Sequence, residues 1–239
     1  MEIILTKKPK SPIILEGFPG FGLIGTIVTE FLIDHLETES IGTIMSEEIP
    51  PMIAIHKGRI VQPIEIFYNK KYNLVILHVV TNPSGLEWQF SEIVLKLAKM
   101  LQAKEVISIE GVGSANTEVR EPRTFYYSNS ESIKKSFDKL KIEELKEGVV
   151  MGVTGTVLLK AKNLKQTLSC IFAETHSAMP DSKAAAAVIR TLDKYLHLDV
   201  NPKPLEEEAE KFEAKLRQIL QKGQQASEIQ NKKQLSYLG

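Results

Sequence analysis

The sequence has one cysteine, Cys170, which excludes an internal disulfide and a cysteine-built zinc cage. Neither sign of charge prevails. The 30 basic and 30 acidic residues cancel, which excludes the broad positive field of a nucleic-acid binder. No apolar run approaches the ~20 residues of a membrane helix, and the opening Met1-Glu2-Ile3-Ile4-Leu5-Thr6-Lys7-Lys8 lacks a signal-peptide layout. The expectation is a cytoplasmic protein with no membrane and no nucleic-acid partner. Also missing are a G-K-[ST] phosphate loop, an H-E-x-x-H zinc helix and a G-x-S-x-G nucleophile elbow. The histidines (His35, His56, His78, His176, His197) are dispersed, without metal-ligand spacing. Composition and motifs therefore suggest no metal, no cofactor and no catalytic residue.

What is present is an ordinary soluble composition, 43% apolar and 25% charged over 239 residues, enough for one large domain with an appendage. The chain is organised around Ile13-Ile14-Leu15-Glu16-Gly17-Phe18-Pro19-Gly20-Phe21-Gly22-Leu23-Ile24-Gly25. An apolar run stops at Glu16, a glycine-rich loop follows, and Leu23 opens a helical pattern. Gly20, Gly22 and Gly25 form a G-x-G-x-x-G in the strand-to-helix context of a dinucleotide fingerprint, with Glu47 and Glu48 at about the expected offset for its acidic residue. The alternative is a tight turn whose glycines only permit close packing.

Apolar spacing at Leu23, Ile24, Ile27, Val28, Phe31, Leu32 and Leu36 predicts a helix to about His35. Strand-like runs follow at Ile41 to Met45, Met52 to His56 and Ile64 to Tyr68. Leu74 to Val80 is nearly continuous, as expected of a strand covered on both faces. Ser84 and Glu87 suggest a capping box for a helix to Leu101. Glu105 to Glu110 is the next strand, ending in Gly111-Val112-Gly113-Ser114. Arg120 to Tyr127 reads as a polar and aromatic excursion, and Ser130 to Leu140 as a helix. Gly148 to Thr154 reads as a small strand leading to a third glycine turn at Gly155, followed by a helix from Thr156 to Lys165. A strand at Leu168 to Glu174 and a loop at His176 to Pro180 precede Asp181, a candidate N-cap for an alanine-rich helix to Tyr195.

This alternation predicts an α/β fold, a mostly parallel sheet flanked by helices. Residues 1–200 form the core domain, 201–222 a C-terminal helix with its apolar stripe on Leu205, Ala209, Phe212, Leu216 and Ile219, and 223–239 a flexible tail. Glycine turns after strand ends gather Gly17, Gly20, Gly22, Gly25, Gly111, Gly113 and Gly155 along one sheet edge, as a candidate ligand or interface loop set. Glu16 and Glu110 both precede a glycine and are read as ending adjacent strands, where they bind a cation, poise a base or cap loop amides. His176 has Glu174 and Asp181 nearby, an arrangement open to acid–base chemistry or to local hydrogen bonding. Trp88 and Phe90 face either a partner or the core.

The stretch Glu16 to Gly25 resembles the E-G-[FW]-P-G-x-G-x-x-G opening of the proteasome assembly chaperone family of the second type. The resemblance continues through Gly111-Val112-Gly113, Gly152-Val153-Thr154-Gly155, Pro180-Asp181 before the alanine-rich helix, and the acidic C-terminal helix, covering most of residues 11 to 220. It implies a nucleoside-phosphorylase-like fold without that activity, and homo-oligomers (tetramer or pentamer) whose C-terminal segments engage the α subunits of the 20S proteasome. The family's tail ends hydrophobic–tyrosine–any residue. Here Leu235, Tyr237, Leu238 and Gly239 are the matching partner-binding residues, although Tyr237 is third from the end and Ser236 takes the hydrophobic position. Three functions are consistent with this sequence: an ATP-independent, non-enzymatic assembly scaffold or activator, a nucleotide or small-molecule protein using the glycine turns, and a structural subunit pairing with a paralogue.

Overall fold

The computed structural model describes residues 1–51, 53–56, 59–113, 121–162, 164–175, 179–207 and 218. Its strands are β1 (Glu2–Leu5), β2 (Ile13–Gly17), β3 (Thr38–Met45), β4 (Ala54–His56), β5 (Arg59–Val61), β6 (Ile64–Asn69), β7 (Leu74–Val79), β8 (Glu105–Gly113), β9 (Thr124–Ser128), β10 (Glu143–Glu144) and β11 (Leu168–Thr175). Its helices are α1 (Ile24–His35), α2 (Glu87–Leu101), α3 (Glu131–Lys139), α4 (Gly152–Ala161), α5 (Ser182–Leu196) and α6 (Lys203–Glu207).

The main sheet has the order β1-β3-β6-β7-β2-β8-β11-β9-β10. Its middle, β7-β2-β8-β11, is parallel, while β1, β3 and β6 pair antiparallel on one side and β9 pairs antiparallel with β11 on the other. The α/β expectation holds, with parallel pairing concentrated at the centre. β7 is buried along its whole length, as its unbroken apolar run requires. Alternate residues separate the two cores. Leu15, Ile107, Ile109, Ile171 and Ala173 meet α1, α3 and α5, while Ile14, Val75, Leu77 and Val106 meet α2 and α4.

Helix α5 lies close because Ala184, Ala185, Ala186 and Ala187 are all buried. Asp181 caps it as expected, accepting a hydrogen bond from the Ala184 amide at 2.9 Å. Beside it, Phe137 of α3 stacks between Tyr126 (4.6 Å) and Tyr195 (4.4 Å). No helix among the described residues is long and apolar enough to cross a membrane.

Several expectations are corrected. Edge strand β1 went unread because four residues carry too little alternation. The excursion before Tyr127 contains β9, whose neighbour β11 lies far along the chain. No capping box forms. Glu87 is the first residue of α2 and its carboxylate accepts from the Gly85 amide instead. Residues 148–151 are not a strand, and Gly155 is no turn: it sits in α4, where a β-carbon would lie 2.6 Å from the Val150 carbonyl oxygen. Within the span expected to form the C-terminal helix, α6 starts at Lys203, anchored by buried Leu205 and an Arg190–Glu206 ion pair of 2.7 Å. The remainder of the expected C-terminal helix, Gln218 apart, and all of the tail lie outside the described residues.

The junction of β2 with α1 allows no side chain. A β-carbon on Gly17 would lie 2.2 Å from the Gly25 carbonyl oxygen, and one on Gly111 would lie 2.1 Å from that of Phe21. Among the described residues, the nearest atom to a β-carbon on Gly113 would be Cε1 of Phe21, 4.0 Å away. Gly17→Ala and Gly111→Ala are expected to cost about 2 kcal/mol or more, lowering Tm by ~5 °C or more. Gly113→Ala should leave the calorimetric Tm within about a degree.

Candidate functional site

The parallel strands β2, β8 and β11 end along one edge, and there the chain encloses a cleft of about 610 Å³. Phe18 and Phe21 come from the glycine loop, Phe172 from β11 and Phe125 from β9, with Val149 to Val153 closing the side towards α4. Register explains the convergence. Glu110 pairs with Phe172, and Phe172 with Phe125, so the three side chains share one row on one sheet face. Phe18 meets Phe90 of α2 edge-on at 5.1 Å. Phe90 is therefore core, while Trp88, two residues earlier, is 55% exposed beneath the Lys160 ammonium.

The glycine set divides. Gly17 and Gly25 touch each other, and Gly111 meets Phe21. Gly22 has φ +68° and its carbonyl accepts from the Asp181 amide at 3.0 Å. Gly20 leaves room for the Glu110 carboxyl, whose Oε1 lies 2.3 Å from where a β-carbon would stand. Gly20, Gly111 and Gly113 line the cleft, whereas Gly155 does not. At four of these positions, Gly17, Gly20, Gly25 and Gly111, the space a phosphate would need is filled by the protein's own atoms. Glu47 and Glu48 follow β3, which is three strand spacings from β2 in the sheet. That is about 14 Å, too far to serve a ribose at the glycine turn. The sequence offset alone could not reveal it, because β6 and β7 insert between.

Glu16 and Glu110 lie on adjacent strands, Glu16 one residue before the end of β2, but Glu110 does not end its strand: β8 runs on through Gly111 to Gly113, which are strand and not turn. Glu16 is fully buried; its Oε1 accepts from the Ser108 hydroxyl and its Oε2 has no partner among the described residues. Burial raises its pKa to about 8, opposed by the Ser108 hydrogen bond and assisted by the nearby Glu110 charge. Glu110 lines the cleft and accepts from the Gly111 amide and from the Thr154 hydroxyl, each at 3.2 Å. Burial raises it to about 7, against those hydrogen bonds and one from the Phe21 backbone. The amide-capping role read from sequence holds for Glu110, while Thr154 as its partner was not read. Cys170, fully buried behind both carboxyls, is pushed well above the ordinary thiol range by burial and carries no reactive thiolate. At the rim Glu174 takes a bidentate ion pair from Arg123, with a shortest contact of 2.7 Å.

Elsewhere, Thr29 Oγ1 lies 2.9 Å from His78 Nδ1, and His78 Nε2 lies 3.1 Å from Glu30 Oε2. The order resembles a nucleophile, base and acid, but Thr29 is fully buried between α1 and the sheet and no substrate reaches its hydroxyl. Among the described residues no group of His, Cys, Asp and Glu is placed to hold a metal ion. His176 and the candidate anchor Leu235, Tyr237, Leu238 and Gly239 lie outside the described residues.

The fold and its edge thus define an α/β protein with a partly open aromatic and acidic cleft at the end of its parallel strands. The PAC2 family model matches residues 14–220, and the chain belongs to that family. It is similar to Pyrococcus furiosus PbaA, an archaeal homologue of proteasome-assembly chaperone, at 30% identity and TM-score 0.83, covering 95% of this chain and 99% of that one. It is similar to Pyrococcus furiosus PbaB, an archaeal proteasome activator, at 25% identity and TM-score 0.74, covering 91% and 98%. An uncharacterized protein of Methanocaldococcus jannaschii is 28% identical over 210 residues, 88% of this chain and 86% of that protein. Family membership and these neighbours support a proteasome-associated role.

The buried acids make stability depend on pH. Glu16 and Glu110 bind protons more tightly folded than unfolded, so their contribution is full below about pH 4.5 and is lost as pH rises through about 7 and 8. Tm is expected to fall between pH 5 and pH 8.5, and Glu16→Gln should flatten that fall. A wild-type Tm that climbs over this range in differential scanning calorimetry contradicts the assignment.

Proposed function

We propose that the protein is a non-enzymatic, ATP-independent, homo-oligomeric scaffold that serves the 20S proteasome α subunits, as assembly factor or activator, in the cytoplasm. The observation that carries this reading is the likeness to PbaA along 95% of the chain. Its anchors are the C-terminal residues Leu235, Tyr237, Leu238 and Gly239, one set per subunit. Several weak anchors on one oligomer bind through avidity, which tolerates the off-register Tyr237.

A surface for self-association is available. The β4–β5 hairpin stands apart from the main sheet, and Ile55 and Ile60 are cross-strand partners, 75% and 64% exposed. Ile53, two residues before Ile55, is 57% exposed. An isolated two-stranded ribbon is marginal in water, and such an apolar face gains by being covered by a neighbouring subunit. A paralogue in place of a second copy is the alternative partner for the same face.

Native mass spectrometry of the protein, alone and with α subunits, tests both parts. The wild type should form a defined tetramer or pentamer that binds α subunits. A chain ending at Gln234 should keep the oligomer and lose the binding. Ile55→Asp should yield monomers. If the truncated chain binds α subunits as well as wild type, the tail anchor is wrong. A monomeric wild type would remove the scaffold.

A further inference from the structure

The cleft at the strand ends has a charge pattern that a proteasome-docking role does not use. Glu110 at its floor is half-buried, and among the described residues every donor to its carboxyl is neutral: the Gly111 amide, the Thr154 hydroxyl and the Phe21 backbone. The described lining also includes Glu147 and Glu174, and no Lys, Arg or His. Glu174 is committed to Arg123, whose side chain is 64% exposed at the rim. The walls are apolar, with rings from Phe18, Phe21, Phe125 and Phe172. The volume, about 610 Å³, falls within the ordinary range for small-molecule sites.

A buried carboxyl without a cationic partner stays neutral by holding a proton, unless a cation arrives to replace it. An anionic ligand would add to the charge of Glu147 and Glu110. A neutral ligand would leave the Glu110 proton in place. A cation on a hydrocarbon stem satisfies both parts of the lining, because the carboxylate pairs with it and aromatic faces attract it.

We infer that this cleft binds an organic ammonium ion carried on an apolar stem, with Glu110 as the receiving carboxylate. Binding draws the proton off Glu110, so affinity follows its ionisation. The ionisable groups around it are Glu16 on β2, Cys170 and Glu174 on β11, and Glu147 ahead of α4; Thr154 of α4 donates to it. A carboxyl that titrates at about 7 is ionised about ten times more fully at pH 8 than at pH 6. An alkylammonium, like a lysine, stays charged over that range.

The probes are n-hexylamine, n-hexanol and n-hexanoate, titrated calorimetrically into the full-length protein at pH 6 and pH 8. Hexylamine should bind, about tenfold tighter at pH 8, with about one proton released at pH 6 and about a tenth of one at pH 8, a difference that buffers of different ionisation enthalpy reveal; hexanol and hexanoate should not bind. Glu110→Gln should abolish hexylamine binding, while Glu147→Gln should weaken it less than threefold. Failure of hexylamine to bind overturns the inference. So does binding of hexanol or hexanoate at equal strength, or an unchanged affinity in Glu110→Gln. The comparison of the three probes needs only wild type, so it stands even if Glu110→Gln does not fold. A capped lysine, acetyl-lysine-methylamide, distinguishes the source. If it binds more tightly than hexylamine, the ligand is a lysine side chain of another polypeptide; if more weakly, it is a free amine.

Discussion

The contact between Gly17 and Gly25 governs the architecture of this protein. With no β-carbon on either residue, the end of β2 and the first turn of α1 meet backbone to backbone. That approach sets where the intervening loop must travel. Phe18 turns down onto Phe90, and the Phe21 carbonyl arrives over Gly111 of the neighbouring strand. Gly20 leaves the space that the Glu110 carboxyl occupies. A motif with the spacing of a phosphate cradle here serves mainly to bring three elements into contact, and the cleft is what remains where they stop.

The same packing accounts for the unusual chemistry of the sheet's α2/α4 face. Glu16 and Ser108 pair across β2 and β8, and Cys170 pairs with Ser108 from β11, so polar groups form a row inside an otherwise apolar layer. Among the described residues the only hydrogen bond to the Glu16 side chain comes from Ser108, and desolvation outweighs it. Glu105, at the opposite end of β8 and on the other face, is treated more kindly, with hydrogen bonds from Ser169 and Tyr195. Burial nevertheless raises its pKa too.

Much of this was legible in the sequence, and the reasons are local. α1 and α5 each carry a helical pattern, and β7 an unbroken apolar run, long enough to announce themselves, and Asp181 sits where an N-cap should. The two carboxyls of β2 and β8 could be named because each stands directly before a glycine, although β8 runs on past Glu110 to Gly113. What could not be read depends on contacts distant in sequence. β9 is a strand because β11 pairs with it from more than forty residues away. Gly155 is helical because α4 begins at Gly152, which removes the turn its neighbours suggested. The aromatic walls are scattered along the chain, and only strand register brings Phe125, Phe172 and Glu110 into one row. Thr154 finds Glu110 across 44 positions, a pairing no spacing rule encodes.

The position of Trp88 has a practical bearing on how this molecule can be watched. It is the chain's sole tryptophan, more than half exposed on the α2–α4 surface, where Lys160 lies 5.4 Å above its ring. Its emission reports the surface patch between α2 and α4. Tyr126 and Tyr195, stacked on either side of Phe137, hold the asymmetric aromatic environment that near-ultraviolet circular dichroism detects. The two signals therefore observe different parts of the protein. A partner that covers α2 and α4 would alter the tryptophan spectrum while leaving the tyrosine signal unmoved, whereas loss of the core would alter both.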